Sequence, residues 1–396
     1  MSIKENISVV AFILLWEMYY LQNAIGFQGG VSQGVLVVLL TISIFYFYKV
    51  NSTLHTSNYG IKAINIILLL AIFYGLIHIL SGENATVYGK GYSSINRLYY
   101  LKNYLISLLP IYFYYYKLRS KDLNNKLILF VILSFLLTYI VLFYYNLTTI
   151  TVEEGEEEIT NNAGYYFLSL VPLLYLIREN VLFKLFIMGT ITFFIIMSLK
   201  RGAMMVGGIS LVFFLYNNYK HSTNRSRLIV IILTVILLAI MYNFVIDFYN
   251  SSDYFQARYN QTIEGDTSRR SVIYSKLTHG YLEQDSIIAL LFGNGADSTL
   301  RLYGTYAHND WLEFLTNEGM MGVIVYFIYW YYLFKYWKKT TGNIRLALGS
   351  LLFIYFTISF FSMSINDYSP CVSLCLGYCL ASNSQKTQVK GNTYKK

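Results

Sequence analysis

Residues 307–322 read AHNDWLEFLTNEGMMG, a histidine, an asparagine and an aspartate side by side at the head of an amphipathic stretch. Asn309 or Asp310 can cap a helix here, because Trp311, Leu312, Leu315 and Met320 follow at helical spacing. His308 then stands at the positive end of that helix, beside backbone N–H groups that lack intrahelical partners, and such a place suits an anion. A histidine that only hydrogen-bonds within its own loop is the plainer alternative.

Cations lie in the same part of the chain. Arg258, Arg269, Arg270 and Arg301 precede His308, the middle pair within TSRRSVIY, and Lys200 with Arg201 sits in SLKRGAMMVGG. The 200–201 pair can snorkel to lipid phosphates, or the small residues at 202, 203, 207 and 208 can let helices approach closely and carry Arg201 inward. In FGNGADS, Gly293 and Gly295 offer bare backbone to a ligand or simply make a turn. The acidic run EEGEEE at 153–158 is read as a solvated loop in preference to a divalent-cation site. Cys371, Cys375 and Cys379 follow one another at intervals of four, which fits neither a zinc site nor a redox pair and leaves a lipid-facing or packing stripe.

The elements that must position these groups are set by composition. The chain has 396 residues, 56% hydrophobic and 13% charged, and its apolar runs are too long and too many for a water-soluble core. About twelve windows have the length of a bilayer-spanning helix, near 6–26, 34–50, 61–80, 99–116, 126–147, 163–178, 181–199, 203–219, 228–248, 319–337, 344–362 and 366–382. The expected fold is an all-α polytopic membrane protein. Residues 1–248 hold nine helices, 249–318 form one large outer loop with short surface helices, and 319–396 hold three more helices and a basic tail.

With both termini in the cytoplasm, most of the 30 Lys and Arg fall on inner segments and most of the 21 acids on outer ones. The formal charge of +9 is therefore a topology signal and gives no support for nucleic-acid binding. The first apolar run is read as an uncleaved span, since no small-residue cleavage site follows it.

Taken together, the motifs resemble the O-antigen polymerase/ligase family of integral membrane glycosyltransferases. SLKRGAMM is similar to the family's Ser-Arg-Gly motif at a span end, and TSRRSVIY to its Ser/Thr-x-Arg followed four residues later by an aromatic. FGNGADS comes next, and AHNDWLEFLTNEGMMGVIVY is similar to its His-Asn pair leading to Glu-x-Gly-x-x-Gly. The resemblance covers roughly residues 195–335. Lys200 stands where Ser is common, and Tyr274 where Trp is frequent.

The resemblance implies a GT-C-like helical fold in a bacterial inner membrane, with the site on its periplasmic face. It also implies donors and acceptors carried on undecaprenyl pyrophosphate, and Arg201, Arg270 and His308 as the functional positions. Glycan transfer from a pyrophosphate to a sugar hydroxyl leaves an anion, which arginines hold by charge-assisted bonds of about 1.5 to 3 kcal/mol each. Arg270 and Arg201 are expected in that role, and Lys200, Arg258, Arg269, Asn309, Gly295 and Arg301 at the substrate. A neutral imidazole, ordinarily near pKa 6.5, can take the acceptor's proton, and His308 is the candidate.

The first outer loop FQGGVSQ has no acid, so no metal and no cofactor is expected. The partners expected are the lipid-linked oligosaccharides, membrane lipids and a chain-length regulator. The Tyr-rich character favours a polymerase over a ligase to lipid A-core. A transporter or flippase would place ionisable residues at mid-membrane depth, where only Glu17 and His78 fall.

Overall fold

The computed structural model describes residues 3–24, 29–53, 58–82, 85–87, 93–119, 124–149, 161–178, 181–221, 224–251, 256, 260, 270–365 and 369–382. In chain order they form α1 (Ile3–Ala24), α2 (Gly30–Thr53), α3 (Tyr59–Ser81), β1 (Ala85–Val87), β2 (Ser93–Ile95), α4 (Leu98–Leu108) and α5 (Pro110–Leu118). There follow α6 (Asn125–Thr149), α7 (Ala163–Leu168), α8 (Val171–Leu174), α9 (Val181–Met197), α10 (Arg201–His221) and α11 (Asn224–Ser251). The last are α12 (Arg270–Leu282), α13 (Ile287–Phe292), α14 (Ser298–Tyr303), α15 (Asp310–Trp337), α16 (Gly342–Ile358) and α17 (Pro370–Ser382).

The chain is a helical membrane protein. Helices over Gly30–Ser52, Tyr59–Ser81 and Asn125–Leu147 are long and apolar enough to cross a bilayer, and shorter apolar helices cover Ile7–Gln22, Ala163–Leu174, Val181–Met197, Gly342–Ile358 and Pro370–Ser382. Along α2, Val31, Val37, Val38, Ile44 and Phe45 are all exposed, an apolar face suited to lipid. Two of the windows proposed from hydropathy are interrupted by proline. Pro110, which has no N–H to give, begins α5 and divides 99–116, and Pro172 lies in the short α8 that divides 163–178. The chain is all-α as expected, with one short antiparallel pairing of Ala85 with Ile95 and Val87 with Ser93 beside the helices. Ala-Thr-Val and Ser-Ser-Ile flank a Gly-Lys-Gly, a hairpin pattern too short to register beside the helical signals.

Contacts divide the chain into two compact units, residues 1–124 with 270–396, and residues 125–269. In the first unit helices from both ends of the chain pack together. There α3 and α15 run antiparallel. At one end Tyr59 meets Tyr332, ring centroids 5.7 Å apart, with Lys335 Nζ 4.4 Å above the Tyr59 ring. At the other the Tyr74 hydroxyl donates to the carbonyls of Phe292 (2.7 Å) and Glu318 (3.4 Å).

Helix α17 packs on α5 through small residues. A Cβ on Gly377 would lie 2.7 Å from Tyr114 Cβ and 2.9 Å from the Ile111 carbonyl. Cys371, Cys375 and Cys379 are buried free thiols in this same helix, so the stripe is a packing one. Asn58 joins the helices by capping α3 at Gly60 N–H (2.9 Å) and donating to Leu380 O (3.1 Å).

In the second unit, α7 and α9 meet through stacked Phe167 and Phe194, centroids 5.0 Å apart. Gly164 touches Ser198, and Gly207 of α10 lies where a Cβ would be 3.2 Å from Ile195. Ala203 and Gly207 thus form the close-approach face expected of SLKRGAMMVGG, whereas Gly208 faces open space.

Candidate functional site

The first turn of α15 is fastened from several directions. Asn309 is its N-cap, accepting from Leu312 N–H at 3.1 Å, as its place before an apolar-periodic run predicts. The same side chain donates to Phe360 O (2.9 Å), Asp310 N–H donates to Ser359 O (2.9 Å), and Trp311 donates to Ser359 Oγ (3.1 Å) while stacking on Phe360. These bonds fix the end of α16 to the start of α15. His308, exposed, immediately precedes the cap and is held at φ +49, in the left-handed region.

Helix α12 supplies the other side. Its first residue is Arg270, and Tyr274 stands one turn further on. The Tyr274 hydroxyl donates to His308 O at 3.1 Å and to Phe360 O at 3.4 Å. Burial raises the Tyr274 phenol above its usual 10.0, while the Arg270 charge and the Asn309 side chain oppose that rise. Arg270, Tyr274, His308 and Asn309 therefore form one group, in which the aromatic four residues after the arginine is the link.

Beneath this rim lie carboxyl groups whose burial was not foreseen from the sequence. Asp310 accepts from Tyr326 (2.7 Å), from Ser364 N–H (2.9 Å) and from the Ser364 hydroxyl. Glu313 accepts from Thr299 (2.5 Å), Asn317 (3.1 Å) and, through its second oxygen, Ala307 N–H (2.9 Å). Desolvation lifts Asp310 to about 6 and Glu313 to about 7 despite these donors. Asp297, also lifted by burial to about 6 against the pull of Arg301, lies 3.8 Å from His78. The signal available in the sequence was the series of acids Asp310, Glu313 and Glu318 at the head of a helix that is apolar further on.

The FGNGADS turn is used as a joint. Asn294 N–H donates to Thr316 O (3.1 Å) and Gly295 N–H to Asn317 O (2.8 Å), so these two backbone donors of the turn are taken by α15. Arg301 folds back on the turn, donating to Asn294 O at 2.5 Å. Gly295 and Arg301 are thus placed as internal braces of the loop.

Lys200 and Arg201 belong to the second unit. Leu199 turns the chain at φ +54, the Lys200 carbonyl accepts from Met204 N–H (2.9 Å), and Lys200 Nζ lies 6.0 Å from the Tyr165 ring centroid. Arg201 is the first residue of α10 and is half-buried. Arg258, Arg269 and the acidic run 153–158 lie outside the described residues. Among the described residues, no group of three or more His, Cys, Asp or Glu is arranged to hold a metal ion.

Backbone conformation marks the same segments. Among the described residues the non-glycine positions with positive φ are Leu199, Asp297 and His308, one each in SLKRG, GADS and AHND. Such conformations cost on the order of 1 to 3 kcal/mol and tend to occur where surrounding structure over-determines a site. No family model and no curated protein matches the chain.

Proposed function

We propose that this protein is a membrane glycosyltransferase that polymerises a surface polysaccharide from undecaprenyl-pyrophosphate-linked repeat units. The observation that carries this reading is the union of Arg270, Tyr274, His308 and Asn309 at the exposed N-terminal end of α15. It groups a guanidinium-bearing and an imidazole-bearing residue on one rim, the combination an anionic leaving group and a hydroxyl nucleophile require.

In this mechanism the acceptor sugar hydroxyl attacks the anomeric carbon of the donor glycan. His308 accepts the hydroxyl proton as the new C–O bond forms. The bond from the anomeric carbon to the pyrophosphate breaks, and its electron pair leaves with the pyrophosphate, which Arg270 binds. A single displacement inverts the anomeric centre.

The same proposal takes the membrane to be the bacterial inner membrane. It crosses that membrane about twelve times, with both termini cytoplasmic and the His308 rim periplasmic. Transfer to lipid A-core, as a ligase, uses the same donor and the same residues and is the alternative.

The deciding experiment compares surface polysaccharide on gels from a gene-deletion strain, a complemented strain and a His308→Ala strain. Core carrying one repeat unit in both mutants is the expected result. Bare core, with long chains left on the lipid carrier, would make the protein the ligase, and an unchanged ladder would overturn the enzymatic reading.

A further inference from the structure

We propose that α13 is a lipid-immersed shelf whose outward face, Ile287, Ile288, Leu291 and Phe292, is covered by acyl chains of the leaflet on the Ser81 side of α3. This goes beyond the glycosyltransferase reading and does not depend on it. Hydropathy assigns these residues to a loop outside the bilayer, because a six-residue helix is far too short to span.

The depth follows from bonds to a spanning helix. Tyr74, whose hydroxyl holds Phe292 O at 2.7 Å, lies in α3 seven residues before Ser81, about 10 Å along the helix axis at 1.5 Å per residue. Helix α15 is broken at that level by Gly319, at φ +68, and the end of α13 is seated in the break. A Cβ on Gly319 would lie 2.6 Å from the Leu291 carbonyl.

Backbone bonding meets the condition for non-helical chain at membrane depth, which is that its polar groups find partners within the protein. Tyr281 donates to Leu290 O (2.6 Å), Gly293 N–H to Ala289 O (2.8 Å), and Asn294 and Gly295 N–H to α15 carbonyls. The Ser286 side chain caps the start of α13 at Ala289 N–H (3.3 Å).

The side chains point the other way. Ile287 is 72% and Ile288 73% exposed, with Leu291 and Phe292 also exposed. This face continues into Met320, Met321, Ile324 and Phe327, which are exposed along α15 immediately after the break. Continuity with the apolar flank of a membrane helix commits the shelf to lipid as its occupant.

The test places single cysteines at Ile288→Cys and Phe292→Cys, labelled with an environment-sensitive fluorophore, in the full chain in phosphatidylethanolamine–phosphatidylglycerol vesicles. The native cysteines are buried in α17 and are spared by the label. Phe327→Cys serves as the lipid-facing control and the exposed Ser275→Cys of α12 as the aqueous one. Nitroxide on the lipid acyl chains is expected to quench positions 288 and 292 to the extent seen at 327, with aqueous iodide leaving them unaffected. Iodide quenching equal to that at 275 would overturn the proposal. So would blue-shifted emission insensitive to both quenchers, which would mean that a second copy or another protein covers the face. Ile288 is largely exposed, so its variant keeps the test available if Phe292→Cys does not fold.

Discussion

The Tyr274 hydroxyl donates to the main-chain carbonyl of His308 at 3.1 Å. Through it the first turns of α12 are tied to the left-handed residue before α15, and Arg270 is brought to the same rim. Removing only the oxygen, as Tyr274→Phe, keeps the ring packed and loses a bond worth about 1 kcal/mol. The expected outcome is a roughly fivefold lower polymerisation rate, with the folded yield in detergent unchanged. A rate equal to wild type would show that Arg270 reaches its position without this tie.

Arg270→Lys keeps the charge but loses the planar, forked donor set. Under the proposed function, transfer should fall about tenfold to a hundredfold, corresponding to one charge-assisted bond. Purified variant and wild type, assayed with the same lipid-linked donor, would check this. Near-wild-type activity would leave Arg270 as an anchor for α12 only.

The parts of this arrangement that were legible in the sequence are local ones. Asn309 as the cap of α15 follows from its place before a helical apolar pattern, and the Arg270-to-Tyr274 spacing is one helical turn, which puts both on one face. The apolar runs marked the chain as a helical membrane protein, although hydropathy ignores the prolines at 110 and 172 that interrupt two of its windows. What was hidden depends on partners distant in the chain. Nothing near Asp310 announces Ser364 as its donor, and nothing in IIALLF indicates that Tyr74, far earlier in the chain, holds its last carbonyl. Nothing in the sequence around Arg301 announces Asn294 O as its acceptor, since that bond requires the loop already folded.

Glu313 gives a pH dependence with a definite sign. Its folded value is raised from 4.5 to about 7, so the folded state holds the proton more tightly than the unfolded one. Stability contributed by this group is greatest below 4.5 and falls as pH rises toward about 7, above which the full cost of burying the charge remains. Asp310, raised from 3.8 to about 6, acts in the same direction. The apparent Tm in detergent is therefore expected to drop between pH 5 and pH 8, and Glu313→Gln should make that drop shallower. Glu313→Ala is different, because it leaves Ala307 N–H buried without its acceptor, at about 1 to 3 kcal/mol, and should lower Tm at every pH. A pH profile unchanged by Glu313→Gln would exclude this carboxyl as the source.

Two glycines with positive φ separate strain from collision. Gly342, at φ +60, has no atom within 4 Å of where a Cβ would stand, so Gly342→Ala introduces backbone strain alone, about 1 to 3 kcal/mol. Gly319, at φ +68 and ψ −162, is strained for any side chain as well, and its Cβ would also press on the Gly293 amide and lie 2.6 Å from the Leu291 carbonyl. Those atoms are main chain and cannot turn aside as a flexible side chain would. The adjoining Phe292 and Leu290 carbonyls are held by Tyr74 and Tyr281, so relief would require α13 to leave its seat. Gly342→Ala should thus purify as a monodisperse protein with a Tm a few degrees lower, whereas Gly319→Ala should give little folded material by size-exclusion chromatography in detergent. Equal behaviour of the two variants would mean that α13 can leave the break in α15 at little cost, and that the joint between them is far looser than its backbone contacts indicate.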